Sequence, residues 1–171
     1  MRKILLMGCG NSRMKSIHTN NSPDWDGYLV TADMNPDCGA DHVIDLENRP
    51  LPFEDESFDE IAAYDVLEHL GKQGDWRGYF DEFAEYWRLL KPNGLFAALV
   101  PIGLDALADP GHTRFFWTNH FFMLSQQWYA DSLKEGKRVT DYRWYWKRDF
   151  YPEVINLVEQ HHIVAILRKV A

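Results

Sequence analysis

The sequence predicts an α/β fold: a central parallel sheet, extended along one edge by two late strands. Three observations carry this. Short apolar runs recur through the chain, and the early ones close on a glycine turn or an acidic residue; a long amphipathic stretch separates two of them; and Pro and Gly fall singly between patterned segments rather than in blocks.

The first run, 3–7, leads into Gly8-Cys9-Gly10 and reads as a buried strand entering a tight turn. Runs 28–32, 42–44 and 60–64 read as further strands that end at Asp33, Asp45 and Asp65. Over 74–90, Tyr79, Phe80, Phe83, Tyr86, Trp87 and Leu90 recur at three- and four-residue steps, which predicts an amphipathic helix. Lys91-Pro92-Asn93-Gly94 stops it, because proline cannot continue a helix, and 95–100 follows as a buried strand. A helix is expected over 119–133 with Thr118 as N-cap, and late strands over 139–148 and 163–169. In 142–148 aromatics interleave with basic residues. Strand alternation would turn Tyr142, Trp144 and Trp146 to the core, and the rival reading is a stacking platform for single-stranded nucleic acid.

With 171 residues, 46% hydrophobic and 26% charged, the chain suits one domain and is too apolar for intrinsic disorder. The apolar stretch 94–104 is cut by Pro101 and is shorter than the roughly 20 residues a membrane span needs. The run behind Arg2 and Lys3 is too short for a secretory signal, so a cytoplasmic protein is expected. Cys9 and Cys38 are the only cysteines and form no CxxC pair, so neither a disulfide nor structural zinc is expected. A formal net charge of -8 argues against duplex nucleic acid as partner without excluding a local basic patch.

In an open α/β sheet, ligands bind beyond the carboxyl ends of the strands, where the glycine turn lies. Gly8 and Gly10 allow close backbone approach, and the turn is expected to offer N–H groups. Asp33, closing the second strand, is placed to accept hydrogen bonds from both ribose hydroxyls of a nucleoside cofactor. A dinucleotide fingerprint wants glycine where Arg13 stands, which disfavours a nicotinamide-dependent oxidoreductase.

At this point the chain resembles the class I S-adenosylmethionine-dependent methyltransferases. The matching stretches are Ile4-Leu5-Leu6-Met7-Gly8-Cys9-Gly10-Asn11-Ser12 (Ser12 replacing the usual last glycine), Asp33, Asp45-Leu46, Leu51-Pro52-Phe53 with Ser57-Phe58-Asp59, and Leu89-Leu90-Lys91-Pro92-Asn93-Gly94. The resemblance implies a Rossmann-like, doubly wound, seven-stranded and mostly parallel sheet with an antiparallel C-terminal hairpin. It implies S-adenosylmethionine as cofactor, held by Gly8, Cys9, Gly10, Asp33, Met34, Asp45, Leu46 and Tyr64. The expected reaction is methyl transfer to an oxygen or nitrogen of a small-molecule acceptor, which needs alignment and water exclusion rather than a covalent nucleophile. The alternative is a non-catalytic nucleoside-binding or scaffold protein that keeps the fold.

Asp65-Val66-Leu67-Glu68-His69 together with the distant His112 is similar to the acid-x-x-Glu-His segment and distant histidine of ubiquinone-pathway O-methyltransferases and small-RNA 2′-O-methyltransferases. That likeness implies a divalent cation, Mg or Mn, on Asp65, Glu68, His69 and His112; if the segment is helical, the first three share a face. Without a cation, His69 or His112 is the expected general base. Phe115, Phe116, Trp117, Phe121 and Phe122 read as core or acceptor-pocket wall. With the first strand at 3–7, the helices that cover the cofactor in many relatives do not precede it. The pocket is expected to be open, closed by 105–117 or by the partner subunit of a homodimer.

Overall fold

A computed structural model describes residues 1–19 and 21–170. The strands β1 (Lys3–Met7), β2 (Tyr28–Asp33), β3 (His42–Val43), β4 (Phe58–Tyr64), β5 (Leu90–Pro101), β6 (Phe150–Val158) and β7 (His162–Lys169) form one sheet. Its order is β3-β2-β1-β4-β5-β7-β6. The first five strands run parallel, and β7 pairs antiparallel with both β5 and β6. The seven-stranded sheet with its antiparallel final pair is the one the sequence predicts.

Helix α1 (Trp76–Leu89) crosses between β4 and β5, its first turn capped by Asp75, which accepts from the Gly78 N–H. Tyr79, Phe80, Phe83, Tyr86 and Leu89 bury against Leu5, Met7, Ile61, Phe96 and Ala98, so the odd positions of β1 and β4 build the main core. Each such side chain contributes on the order of 1.5–3 kcal/mol by leaving water. The other sheet face carries only a small cluster of Leu6, Cys9, Cys38 and Ala62, flanked by Trp25, Leu29, Ala40 and Tyr64. No α-helix stands between β1 and β2 among the described residues. Residues 8–27 are rich in Asn, Ser, Asp, Pro and Gly, which compete with helix formation through local side-chain hydrogen bonds and turns.

Three expectations give way. The helix expected over 119–133 is two pieces, α3 (Thr118–Phe122) and α4 (Gln126–Lys134), after a short α2 (Asp105–Ala108). The break falls at Ser125, whose hydroxyl accepts from the Trp128 N–H and starts α4; Thr118 lies inside α3, and Trp117 holds the N-cap position. Residues 139–148 form no strand: the Tyr145 and Trp146 N–H groups both donate to the Tyr142 carbonyl at 2.8 Å, a turn that breaks the alternation. Trp146 is therefore buried while Trp144 is exposed. Strand β6 lies in 150–158 instead, on the sheet edge, where Pro152 is tolerated at a register shift. No helix among the described residues is long and apolar enough to cross a membrane.

Candidate functional site

Strand order reverses between β1 and β4, and beyond their carboxyl ends opens a cleft of about 300 Å³ lined by Gly8, Asp33, Met34, Asp45, Leu46, Glu47, Asp65, Val66, His69 and Leu70. Five of the expected cofactor residues, Gly8, Asp33, Met34, Asp45 and Leu46, meet here. Cys9 and Tyr64 border a smaller adjoining hollow with Ser12, Met14 and Ser16, and Tyr64 stacks on Trp25.

The Gly8 requirement is physical. Its φ is +60°, and a Cβ there would fall 2.3 Å from Val66 Cγ2, so any other residue clashes as well as straining the backbone. Gly10 also has positive φ, but open space surrounds it. The turn offers fewer N–H groups than expected: Cys9 donates to Ala32 O, Ser12 to Cys9 O, and Gly10 to Asp33 Oδ2 at 2.8 Å. Asp33 Oδ1 accepts from the Asn35 N–H at 2.8 Å. Its carboxylate thus ties the glycine turn to the loop after β2, and each oxygen keeps a further lone pair for a sugar hydroxyl. Arg13, where a dinucleotide site would have glycine, donates to Gly10 O at 2.9 Å, Ser12 O at 3.1 Å, Cys38 O at 3.2 Å and Gly39 O at 2.9 Å. It ties the glycine turn to the end of the short 3-10 helix Pro36–Cys38 after β2.

On the cleft's far side, Leu67–His69 makes a single 3-10 turn. Glu68 is 1% exposed, and neither of its carboxylate oxygens has a hydrogen-bond partner in another of the described residues. Burial pushes its carboxyl up to about 7. His112 Nε2 lies 3.9 Å from Glu68 Oε1, and the His69 and His112 rings meet edge-on with centroids 4.6 Å apart. Each histidine turns Nδ1 to a backbone carbonyl, His69 to Gly111 O at 3.2 Å and His112 to Ala106 O at 2.9 Å. A carbonyl only accepts, so Nδ1 carries the hydrogen and Nε2 is the free lone pair in the neutral ring. Asp65 does not join this group. Its backbone is left-handed (φ +50°) and the 3-10 turn starts after it, so the shared helical face never forms; its Oδ1 instead lies 3.4 Å from His162 Nε2.

Sequence reasoning missed what places His112. Arg114 and Glu82 are buried and joined by hydrogen bonds of 2.9 and 3.0 Å, and Arg114 also donates to Leu67 O at 2.9 Å. The Thr113 and Arg114 N–H groups donate to Glu68 O, so the ion pair clamps the histidine's neighbours onto the 3-10 turn. Glu47 was missed too: its carboxylate accepts from the Gly71 N–H at 2.7 Å across the cleft mouth. Beyond Gly71 a second cavity of about 300 Å³ is walled by Trp76, Tyr79, Phe80 and Tyr142, with Arg114 and His120 on its rim. Phe116 and Phe121 are core, whereas Phe115 and Trp117 are exposed.

A family model described as a methyltransferase domain matches residues 5–98. No curated protein matches the sequence. Among solved structures, a chain of the complex between the Haloferax volcanii Trm112 methyltransferase activator and a putative methyltransferase aligns with TM-score 0.63 at 10% identity, covering 99% of this chain and 83% of that one. An S-adenosylmethionine-dependent methyltransferase from Methanosarcina mazei gives 0.58 at 15% identity, covering 99% and 92%. The Burkholderia thailandensis 1,6-didemethyltoxoflavin-N1-methyltransferase, solved with its acceptor and S-adenosylhomocysteine, gives 0.56 at 16% identity, covering 99% and 72%. With the glycine turn, the strand-end aspartates and more than half of the sequence in agreement, this chain belongs to the class I S-adenosylmethionine-dependent methyltransferases.

Proposed function

We propose that this protein moves a methyl group from S-adenosylmethionine to an oxygen or nitrogen of a small molecule, with His69 as proton acceptor. The observation that carries the reading is the cleft itself, where Gly8, Asp33 and Asp45 face His69 across one space. What supports the cofactor is the bare Gly8 backbone in the cleft wall, with Asp33 ending β2 and Asp45 just beyond β3, where a nucleoside's hydroxyls and base would be met. S-adenosylmethionine supplies an electrophilic methyl on a sulfonium. The protein's own tasks are to align an acceptor, exclude water and remove the proton that the acceptor O–H or N–H gives up. His69 suits the last task, since its exposed ring lines the cleft with Nδ1 already engaged, leaving Nε2 to take the proton. The aromatic cavity beyond Gly71 is the acceptor's place in this reading, since its ring walls suit a planar, partly apolar molecule.

The test begins with calorimetric binding of S-adenosylhomocysteine and continues with transfer of labelled methyl across a panel of small hydroxyl and amine compounds. Binding with no transfer to any of them would favour the non-catalytic alternative. Asp33→Ala is expected to weaken S-adenosylhomocysteine by about 1–3 kcal/mol, roughly 5- to 150-fold, through lost hydrogen bonds to a charged acceptor. An unchanged Kd removes Asp33 from the site.

A second reading is favoured by the partnerless Glu68 carboxylate: a divalent cation on Glu68, His69 and His112, whose ligand atoms all lie within 4.8 Å of one another. Two imidazoles with Nδ1 fixed by carbonyls and one carboxylate form a donor set that suits Mn²⁺ better than Mg²⁺. Such an ion would acidify an acceptor hydroxyl. Calorimetry with Mn²⁺ is expected to show one site, lost in Glu68→Gln and retained in Asp65→Asn. Equal binding by the Glu68 variant would end this reading.

A further inference from the structure

The two cysteines lie in different loops and share no sequence motif, yet the fold brings them together. Parallel pairing of β1 with β2 sets Met7 beside Ala32, so the glycine turn after β1 and the short 3-10 helix Pro36–Cys38 after β2 leave the sheet side by side. Cys9 and Cys38 are both buried and have their sulfurs within 4.8 Å of each other and of an Asp33 carboxylate oxygen. Arg13 donates to the Cys38 carbonyl and keeps a fixed positive charge beside the pair.

We propose that Cys9 and Cys38 form a reversible thiol–disulfide site, opened and closed by low-molecular-weight disulfides, whose oxidised form binds the cofactor weakly. This rests on the cofactor reading of the cleft above. The chemistry is two exchanges. The Cys38 thiolate attacks one sulfur of the small disulfide, expels a first thiolate and forms a mixed disulfide; the Cys9 sulfur then displaces the second thiolate. Two protein thiols are oxidised to one cystine and the small disulfide is reduced to two thiols, which carry off both protons. Cys38 attacks first because burial pushes the Cys9 thiol up to about 11, leaving it little thiolate.

The link to the cofactor is geometric. An S–S bond is about 2.05 Å long, so in this proposal the sulfurs close by drawing the turn and the 3-10 helix towards each other. Val66 already abuts Gly8, and Gly10 and Asn35 are both tied to the Asp33 carboxylate, so that motion displaces Asp33 and the turn it holds.

The experiment treats the full chain with oxidised glutathione, then records intact mass and calorimetric affinity for S-adenosylhomocysteine before and after dithiothreitol. The expected result is a mass lower by two hydrogens and affinity weakened at least tenfold, both reversed by the reductant. Cys38→Ser is expected to form no cystine and to keep its affinity through the same treatment. Two thiols surviving an excess of oxidised glutathione overturn the site, and a cystine formed with unchanged affinity overturns its link to the cofactor. A reduced protein that binds no S-adenosylhomocysteine overturns the cofactor reading and with it the coupling, whereas the mass change decides the disulfide by itself. The wild-type measurements need no variant to fold.

Discussion

Arg114→Ala is expected to lower unfolding stability by about 3–5 kcal/mol, read from urea denaturation, because it leaves the Glu82 carboxylate buried and without its main partner. Tyr86 donates to Glu82 at 3.0 Å and Arg49 lies 3.6 Å from it, which softens the loss without replacing two short hydrogen bonds. The sign of the effect depends on asymmetry. Two buried charges offset each other's desolvation, whereas one alone does not. The double variant Arg114→Met/Glu82→Leu is therefore expected to be more stable than Arg114→Ala, and a double variant at least as unstable as the single one would refute the ion-pair account. Because Arg114 also grips Leu67 O, the surviving folded fraction of Arg114→Ala is expected to lose turnover as His112 drifts from Glu68.

His69→Ala is expected to reduce kcat by about 10²–10⁴-fold, the usual worth of a positioned proton acceptor. The fold should tolerate it, since the residue is exposed and its ring hydrogen-bonds a loop carbonyl. Added imidazole is expected to restore part of the rate, a readout that a merely structural histidine would not move. A Cβ at Gly111 would lie 3.1 Å from both His69 Nδ1 and Asp109 Oδ1, tighter than ordinary contact, so glycine there lets the loop lie close to the ring. Full activity in His69→Ala removes the residue from the chemistry.

Much of the frame could be read from the chain because its signals are local. The runs of β1, β2, β4 and β5 are largely apolar, and the first three close on Gly8, Asp33 and Asp65, which line the cleft. Segment 139–148 misled because aromatic alternation is as compatible with a turn that buries position 146 and half-buries position 142 as with a strand. Strand β6 lies in a segment that is ambiguous in the sequence, since Pro152 and Glu153 are disfavoured inside strands, although an edge strand accepts both. Within the candidate site, Gly8, Asp33 and Asp45 stood out as motif residues and His69 and His112 as candidates, and four of these five line one cleft. Glu82 did not stand out. On a helix it reads as one more polar position, and only the packing of residue 114, distant in sequence, shows it to be buried and paired. The dependence of Cys9 on Cys38, like that of His112 on Arg114, is tertiary, and spacing along the chain holds no trace of it.

The sheet order carries a consequence for synthesis. Strand β7 is the last of the described elements, yet it lies between β5 and β6, pairing Leu95 with Arg168 and Phe150 with Lys169. Until it leaves the ribosome, the nascent polypeptide presents the apolar edge of β5, from Leu95 to Val100, without a neighbour. Translation that stalls inside β7 should therefore yield aggregating fragments rather than a trimmed but soluble protein, and a chaperone should find its grip there.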